Sequence, residues 1–135
     1  MYSAMTDQLP DLNEGVFDQL ARAVPTPAFH AVLESYAQGL PTHLRHLQAA
    51  ADASDFPALA REAHDLKGFW GTVGADRLAD LAVRLNFASE TQDAFAIASL
   101  VPAIIDASAV AWNAIAVRLD EARGPGVGCN PRVQA

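Results

Sequence analysis

The sequence of 135 residues has little cysteine, few basic residues and no long apolar run. Its single cysteine, Cys129, allows neither a disulfide framework nor a cysteine cluster for a metal, so we expect the reducing cytoplasm as its compartment. Nine Lys and Arg against 16 Asp and Glu give a net charge of −7. Because proteins that bind nucleic acid usually present a basic face, no nucleic-acid partner is expected.

The other absences concern membranes and β-structure. No apolar run reaches the roughly 18–20 residues of a membrane helix, and the N-terminus lacks the basic-then-apolar pattern of a signal peptide. We therefore expect no membrane partner. Strand-like alternation and hairpin dipeptides are missing as well. Hydrophobic residues make up 51% of the chain and charged residues 19%, a globular composition that is rich in the helix former alanine.

The spacing of apolar residues predicts an all-α fold, an antiparallel up-down four-helix bundle with an additional short N-terminal helix. We expect a flexible lead-in over residues 1–10, the bundle domain over 11–123 and a disordered C-terminal tail over 124–135, where glycine and proline cluster. The residues expected to start, kink or end helices are the caps Asp11, Thr26, Ser54 or Asp55, and Ser89 with Gln92, the kink at Pro41 and the terminator Gly74.

The residues with the greatest chemical potential lie at 63–68, which read Ala-His-Asp-Leu-Lys-Gly. On a helix, Lys67, Gly68 and Gly71 fall three, four and seven residues after His64, hence on the same side. The imidazole therefore stands beside the only lysine of the chain, over backbone that is nearly bare of side chains. Because glycine inside a helix costs about 1 kcal/mol relative to alanine, the pair indicates close approach by something large.

A phosphoryl group and a partner surface both need such clearance. A neutral imidazole accepts a phosphoryl group on one ring nitrogen when a hydrogen bond holds the tautomer of the other, and Lys67 can offset the charge that is added. The plainer interpretation is that Lys67 is a solvated charge and that the glycines serve a tight helix crossing. His43 and His46 lie three residues apart without a third ligand, so no metal site is expected.

This stretch resembles the histidine-containing phosphotransfer family, whose pattern is roughly His-x-Leu-Lys-Gly, a Gly-Ala pair six residues on, and a leucine ladder. The resemblance covers about residues 12–122 and includes the long preceding helix and a proline in the last helix. The matching residues are His64, Leu66, Lys67, Gly68, Gly74, Ala75, Leu78, Leu81 and Leu85.

The resemblance implies that His64 is the phosphoacceptor and Lys67 its charge partner, and that Asn86 on the next helix orients the imidazole. It implies no cofactor on this chain, because the magnesium ion is expected on a partner receiver domain. The residues expected to dock that receiver are Arg61, Asp65, Gly68, Phe69 and Gly71.

Three positions depart from the family pattern. Asn86 stands where Gln or Glu is frequent, so a shorter amide faces the imidazole. Phe69 and Trp70 replace small residues after the Lys-Gly pair, and Glu90 stands where an Arg is frequent. These changes affect the local packing and the electrostatics of docking more than the phosphoacceptor.

The implied function is that of a phosphorelay intermediate in two-component signal transduction. His64 would carry a phosphoryl group between aspartates of response-regulator receiver domains, including that of a hybrid sensor kinase. The chain would be a monomeric phosphoryl carrier without kinase activity of its own. One alternative is a dimerisation and phosphoacceptor domain of histidine-kinase type, in which an acidic residue follows the histidine, as Asp65 does, although the Thr-Pro of that motif is absent. The other is a helical adaptor that binds receivers without phosphotransfer.

Overall fold

Five α-helices make up the fold in this computed structural model, which describes residue 6 and residues 8–123, with side chains up to residue 120. No strand occurs among these described residues, so the prediction of an all-α chain is confirmed. The helices are α1 (Glu14–Ala23), α2 (Thr26–Asp52), α3 (Phe56–Val73), α4 (Asp76–Glu90) and α5 (Ala94–Arg123). Helices α2 to α5 contact one another in a closed ring, α2 to α3 to α4 to α5 and back to α2.

Short loops make neighbouring helices antiparallel, as the bundle prediction requires. Between α2 and α3 the cap is Asp55, whose side chain accepts a hydrogen bond from the Ala58 amide at 3.2 Å. Gly74 ends α3 in the left-handed conformation with φ 94°. Both expectations are confirmed. The Asp11 cap is wrong, because Asn13 begins α1 and accepts from the Val16 amide.

The capping box predicted from Ser89 and Gln92 is also wrong. Ser89 is buried inside α4, and its hydroxyl donates to the Leu85 carbonyl at 2.8 Å. Gln92 takes a left-handed φ of 57°, which lets the chain turn before α5 begins. Asp93 is therefore the residue that caps α5, since its carboxylate accepts from the Ala96 amide at 3.1 Å.

A single hydrophobic core runs through the ring of helices. The inward stripe of α3 is buried at Leu59, Ala63, Leu66, Trp70 and Val73, with Trp70 fully enclosed, and Phe56 at its start is partly exposed. The ladder Leu78, Leu81, Ala82 and Leu85 of α4 is buried as well. On α5, Ala98 is exposed. The core residues of α5 are Ile97, Leu100, Val101, Ile104, Ala107, Ser108, Ala111 and Ile115.

Helix α2 continues through Pro41 as one rod of 27 residues and is not split there. The proline removes one backbone hydrogen bond, but Leu40 beside it and Leu47 two turns on are buried against the bundle. Tertiary packing of the apolar face therefore holds the helix together across the proline.

Helix α1 is fixed to the bundle by an aromatic contact and by charge. Phe17 is buried and meets Phe29 of α2 edge to face, with ring centroids 5.4 Å apart. Arg118 of α5 pairs with Glu14 at 2.8 Å and with Asp18, and its guanidinium lies over the Phe17 ring. The short helix is thereby tied to both α2 and α5.

The residues before α1 run along α4. The Thr6 hydroxyl donates to the Asp80 carboxylate at 2.5 Å, and the Pro10 carbonyl accepts from the Arg77 amide at 3.1 Å. Burial acts to raise the pKa of Asp80, but hydrogen bonds from Thr6 and Arg84 and the charge of Arg84 outweigh it, so that pKa is lowered. Thr6 and Pro10 therefore contact α4, and the flexibility of the lead-in stays a prediction; residues 1–5, residue 7 and the predicted tail lie outside the described residues.

Helix α5 is apolar enough to meet a length-and-composition test for a membrane span. Within Ala94–Asp120, an 18-residue segment has a mean hydropathy of 1.9, and 39% of that segment is buried inside the bundle. The expectation that no segment of the chain is long and apolar enough to cross a membrane is therefore wrong. The core helix of a soluble protein passes the same test, so the property is weak evidence of a membrane.

Gly74 is the residue whose backbone the hairpin of α3 and α4 most requires. A Cβ there would lie 2.8 Å from the Asn13 carbonyl oxygen and 3.2 Å from the Val16 Cβ, in addition to the left-handed φ. The Asn13 amide also donates to the Gly74 carbonyl at 2.6 Å. The turn therefore has room only for glycine.

Replacing Gly74 with alanine is expected to lower the free energy of unfolding by about 1–3 kcal/mol, because backbone strain and a clash with Asn13 act together. Urea unfolding followed by circular dichroism measures the change. The matched control is Gly68→Ala, where a Cβ meets nothing within 4 Å and the better helix former should stabilise by about 0.5–1 kcal/mol. Equal effects of the two substitutions would contradict this account of Gly74.

Candidate functional site

His64 stands on the solvent side of α3. The inward side of that helix carries Ala63, Leu66 and Trp70, all buried, and the side chain of His64 is exposed. Within the described part of the chain, no side chain lies at hydrogen-bond or ion-pair distance from its imidazole. The ring is thus held by the helix alone and is open to approach from solvent.

Asn86 of α4 lies level with His64. A Cβ on Gly71 would lie 3.8 Å from the Ala79 Cβ, so α3 and α4 are in contact at these two residues. His64 comes seven residues before Gly71 and Asn86 seven after Ala79, which is two turns on each of two antiparallel helices. The half-buried Asn86 therefore lies level with His64 along the helix pair, and no direct hydrogen bond joins its amide to the ring.

The two glycines near His64 differ in their surroundings. A Cβ placed on Gly68 would meet no atom within 4 Å, so the space beside its Cα is open. The Gly68 carbonyl accepts a hydrogen bond from the Thr72 hydroxyl at 2.7 Å. Gly71 faces Ala79 at ordinary van der Waals distance. A Cβ would fit at both positions, so packing within the chain does not require glycine at either of them. Alanine would also be the better helix former at both positions. The bare surface over Gly68 is therefore free to receive another molecule.

The outer face of α3 also carries Arg61, Asp65 and Lys67 as exposed side chains around His64. Arg61 and Lys67 lie three residues on either side of the histidine, on its own face of the helix. The structure therefore brings together every residue predicted for the site on α3 except one.

That exception is Phe69, which lies on the opposite flank of α3. Five residues after His64, it points about 140° further round the helix and faces α2. Its ring stacks on Tyr36 with centroids 3.5 Å apart and planes within 5° of parallel, and both rings meet Trp70 edge to face. Its part in docking a partner stays a prediction.

Val83 is a surface residue near the site that sequence reasoning missed. It is 45% exposed and lies three residues before Asn86 on α4, just outside the buried ladder. Its neighbour Phe87, 67% exposed, is turned further towards α5. The signal for it in the sequence was an apolar valine at an outward-facing helix position, among charged residues. An apolar side chain therefore flanks the His64 face on the α4 side.

In the described part of the chain no three His, Cys, Asp or Glu residues group around a common point, and this holds for all three histidines of α2, His30, His43 and His46. His43 stacks on Tyr36 with centroids 5.8 Å apart, and its Nδ1 lies 3.7 Å from the Glu62 carboxylate. His43 thus extends the aromatic group of Tyr36 and Phe69.

A family model of the Hpt domain matches residues 31–115, a span that runs from α2 into α5 and contains His64, Gly68 and Asn86. The chain belongs to the Hpt domain family. An Hpt domain implies histidine phosphotransfer in phosphorelays, and Hpt domains in general interact with the receiver domains of response regulators. Comparison with curated proteins and with solved structures gives no match.

Tyr36 provides a titration that reports on the aromatic group behind this Hpt site. Burial raises the pKa of Tyr36 to about 12, whereas tyrosine in an unfolded chain ionises near pH 10. The stability that this tyrosine contributes is complete below about pH 10 and is lost as the pH rises towards 12.

Tyr36→Phe should therefore flatten the fall in unfolding free energy above about pH 10 relative to the unchanged chain. Urea titrations at a series of alkaline pH values measure it. Tyr2 is present in both proteins and cancels in the comparison. Identical pH dependence of the two proteins would show that Tyr36 titrates as freely in the folded state as in the unfolded chain.

Proposed function

We propose that His64 carries the phosphoryl group of a phosphorelay. The unprotonated ring nitrogen attacks the phosphorus of an aspartyl-phosphate on a receiver domain, forming the N–P bond as the P–O bond to the aspartate breaks. The aspartate leaves as a carboxylate, and the ring keeps the proton on its other nitrogen. The reverse reaction at a second receiver returns the group to an aspartate. The observation that supports this most is the exposed, unpartnered imidazole beside the open space over Gly68.

Two neighbours support the chemistry at His64. Lys67, exposed one turn away on the same face, offsets the negative charge that the phosphoryl group adds. Asn86, level with His64 but without a direct hydrogen bond, orients the ring through a bridging water. The chain has no cofactor of its own, and the receiver supplies the magnesium ion and most of the transition-state stabilisation.

The receiver docks on the outer face of α3 and the adjoining side of α4. Gly68 and Gly71 let its surface approach the helix backbone, Arg61 and Asp65 offer charge contacts, and Val83 offers an apolar one. Phe69 stiffens this face from behind through its stack on Tyr36. The partners are receivers of response regulators and of a hybrid sensor kinase, and the chain is a cytoplasmic carrier without kinase activity.

Replacing His64 with glutamine is expected to abolish phosphoryl transfer while leaving the fold intact, since the side chain is exposed and supports no other residue. The protein is mixed with a panel of phosphorylated receiver domains, and acid-labile, alkali-stable label is followed. A variant that takes label as the unchanged chain does would rule out His64, and a wild type that takes none from any receiver would favour the adaptor.

A long side chain at Gly68 is expected to slow transfer about 10-fold or more, because it fills the space through which the receiver approaches His64. Gly68→Gln is compared with Gly15→Gln, an exposed glycine of α1 where a Cβ also meets only ordinary contacts. Transfer rates under receiver excess and urea midpoints are measured on both. Equal transfer rates in the two variants would mean that Gly68 has no part in docking.

A further inference from the structure

Two aromatic side chains are unusually exposed where α4 ends and α5 begins. Phe95 is 83% exposed and Phe87 is 67% exposed, the highest values among the large apolar side chains of the described residues. Exposed aromatic groups of this size commonly mark an interaction surface. They lie on the α4–α5 side of the bundle, whereas His64 lies on α3.

A groove opens beside Phe95. It has a volume of about 200 Å³ and is lined by Phe87 of α4 and by Ser99 and Leu100 of α5, among others. Phe95 does not line this groove but stands next to it, one residue before the lining residue Ala96. Since a cavity of about 150 Å³ accepts a benzene ring, the groove has room for a phenyl group.

We propose that this corner binds a second copy of the chain, with Phe95 of each copy entering the groove of the other. A projecting ring and a groove that accepts a ring lie side by side on one face. A two-fold axis between them makes both contacts at once, which is the property of an isologous interface.

Charge and area agree with a second copy. The chain carries a net charge of −7, so copies of it repel one another in general, but the groove lining carries one charge of each sign, Arg84, which is ion-paired with Asp80, and Asp93. With roughly 200 Å² for each phenylalanine, Phe87 and Phe95 expose roughly 300 Å² per copy. A standard interface buries about 800 Å² per partner, so the two rings supply the apolar centre of one.

Sedimentation equilibrium of the full chain over a range of concentrations tests the proposal. A reversible dimer is expected with a Kd on the order of 1–100 μM, since the apolar centre is small. Phe95→Ala should weaken the dimer about 30-fold or more. Ser99→Trp, which fills the groove, should weaken it similarly. The control Val117→Ala, 56% exposed on the same helix and roughly 33 Å away, should leave the Kd unchanged.

An equimolar mixture of Phe95→Ala and Ser99→Trp distinguishes a second copy from any other occupant. In the mixed dimer the remaining Phe95 enters the open groove, and the new tryptophan takes the space of the missing ring, so association should recover. Circular dichroism establishes that each variant is folded. A monomeric wild type, an unchanged Kd in Phe95→Ala, or a mixture no more associated than either variant alone would each overturn the proposal. The readout is mass, so it stands or falls independently of the chemistry at His64.

Discussion

The left-handed turn at Gly74 is the constraint on which the rest of the molecule depends. A loop of two residues allows α3 and α4 only one antiparallel arrangement, in which Gly71 meets Ala79 and Asn86 comes level with His64. The same glycine also attaches the N-terminal segment, because the Gly74 carbonyl accepts a hydrogen bond from the Asn13 amide. A side chain at position 74 would collide with the Asn13 carbonyl oxygen. The backbone conformation of Gly74 thus determines both the alignment of Asn86 with His64 and the attachment of α1 to the α3–α4 hairpin.

The division of α3 into two faces explains how a reactive imidazole coexists with a tight core. The inward stripe, which ends at Trp70 and Val73, is fully committed to packing, so the outward residues contribute little to stability. A position of this kind is free to carry a nucleophile and a glycine that the fold does not need. The aromatic stack of Tyr36 on Phe69 packs on the flank of α3 that faces α2 and leaves the histidine uncovered.

The segments outside the Hpt match also have a structural part. The match begins at residue 31, whereas Thr6, Pro10 and Asn13 contact α4 or its turn from outside that span. Arg118 adds a second attachment by pairing with Glu14 and Asp18 of α1. The described residues of the N-terminal part therefore brace the α3–α4 hairpin that carries the site, and none of those described residues contacts His64.

Local patterns in the sequence determined much of this protein. The spacing of apolar residues identified the helices, the inward stripe of α3 and the ladder of α4, and Gly74 and Asp55 marked helix ends, because each signal depends only on residues within a turn or two. The His64, Lys67 and Gly68 face followed from the same periodicity. Only the tertiary structure decided that Asn86 lies level with His64 and that Phe69 lies on the flank of α3 that faces α2. It alone decided as well that Phe87 and Phe95 are exposed and that Thr6 contacts α4. Each of these depends on how separate helices meet, and residues distant in sequence set that geometry.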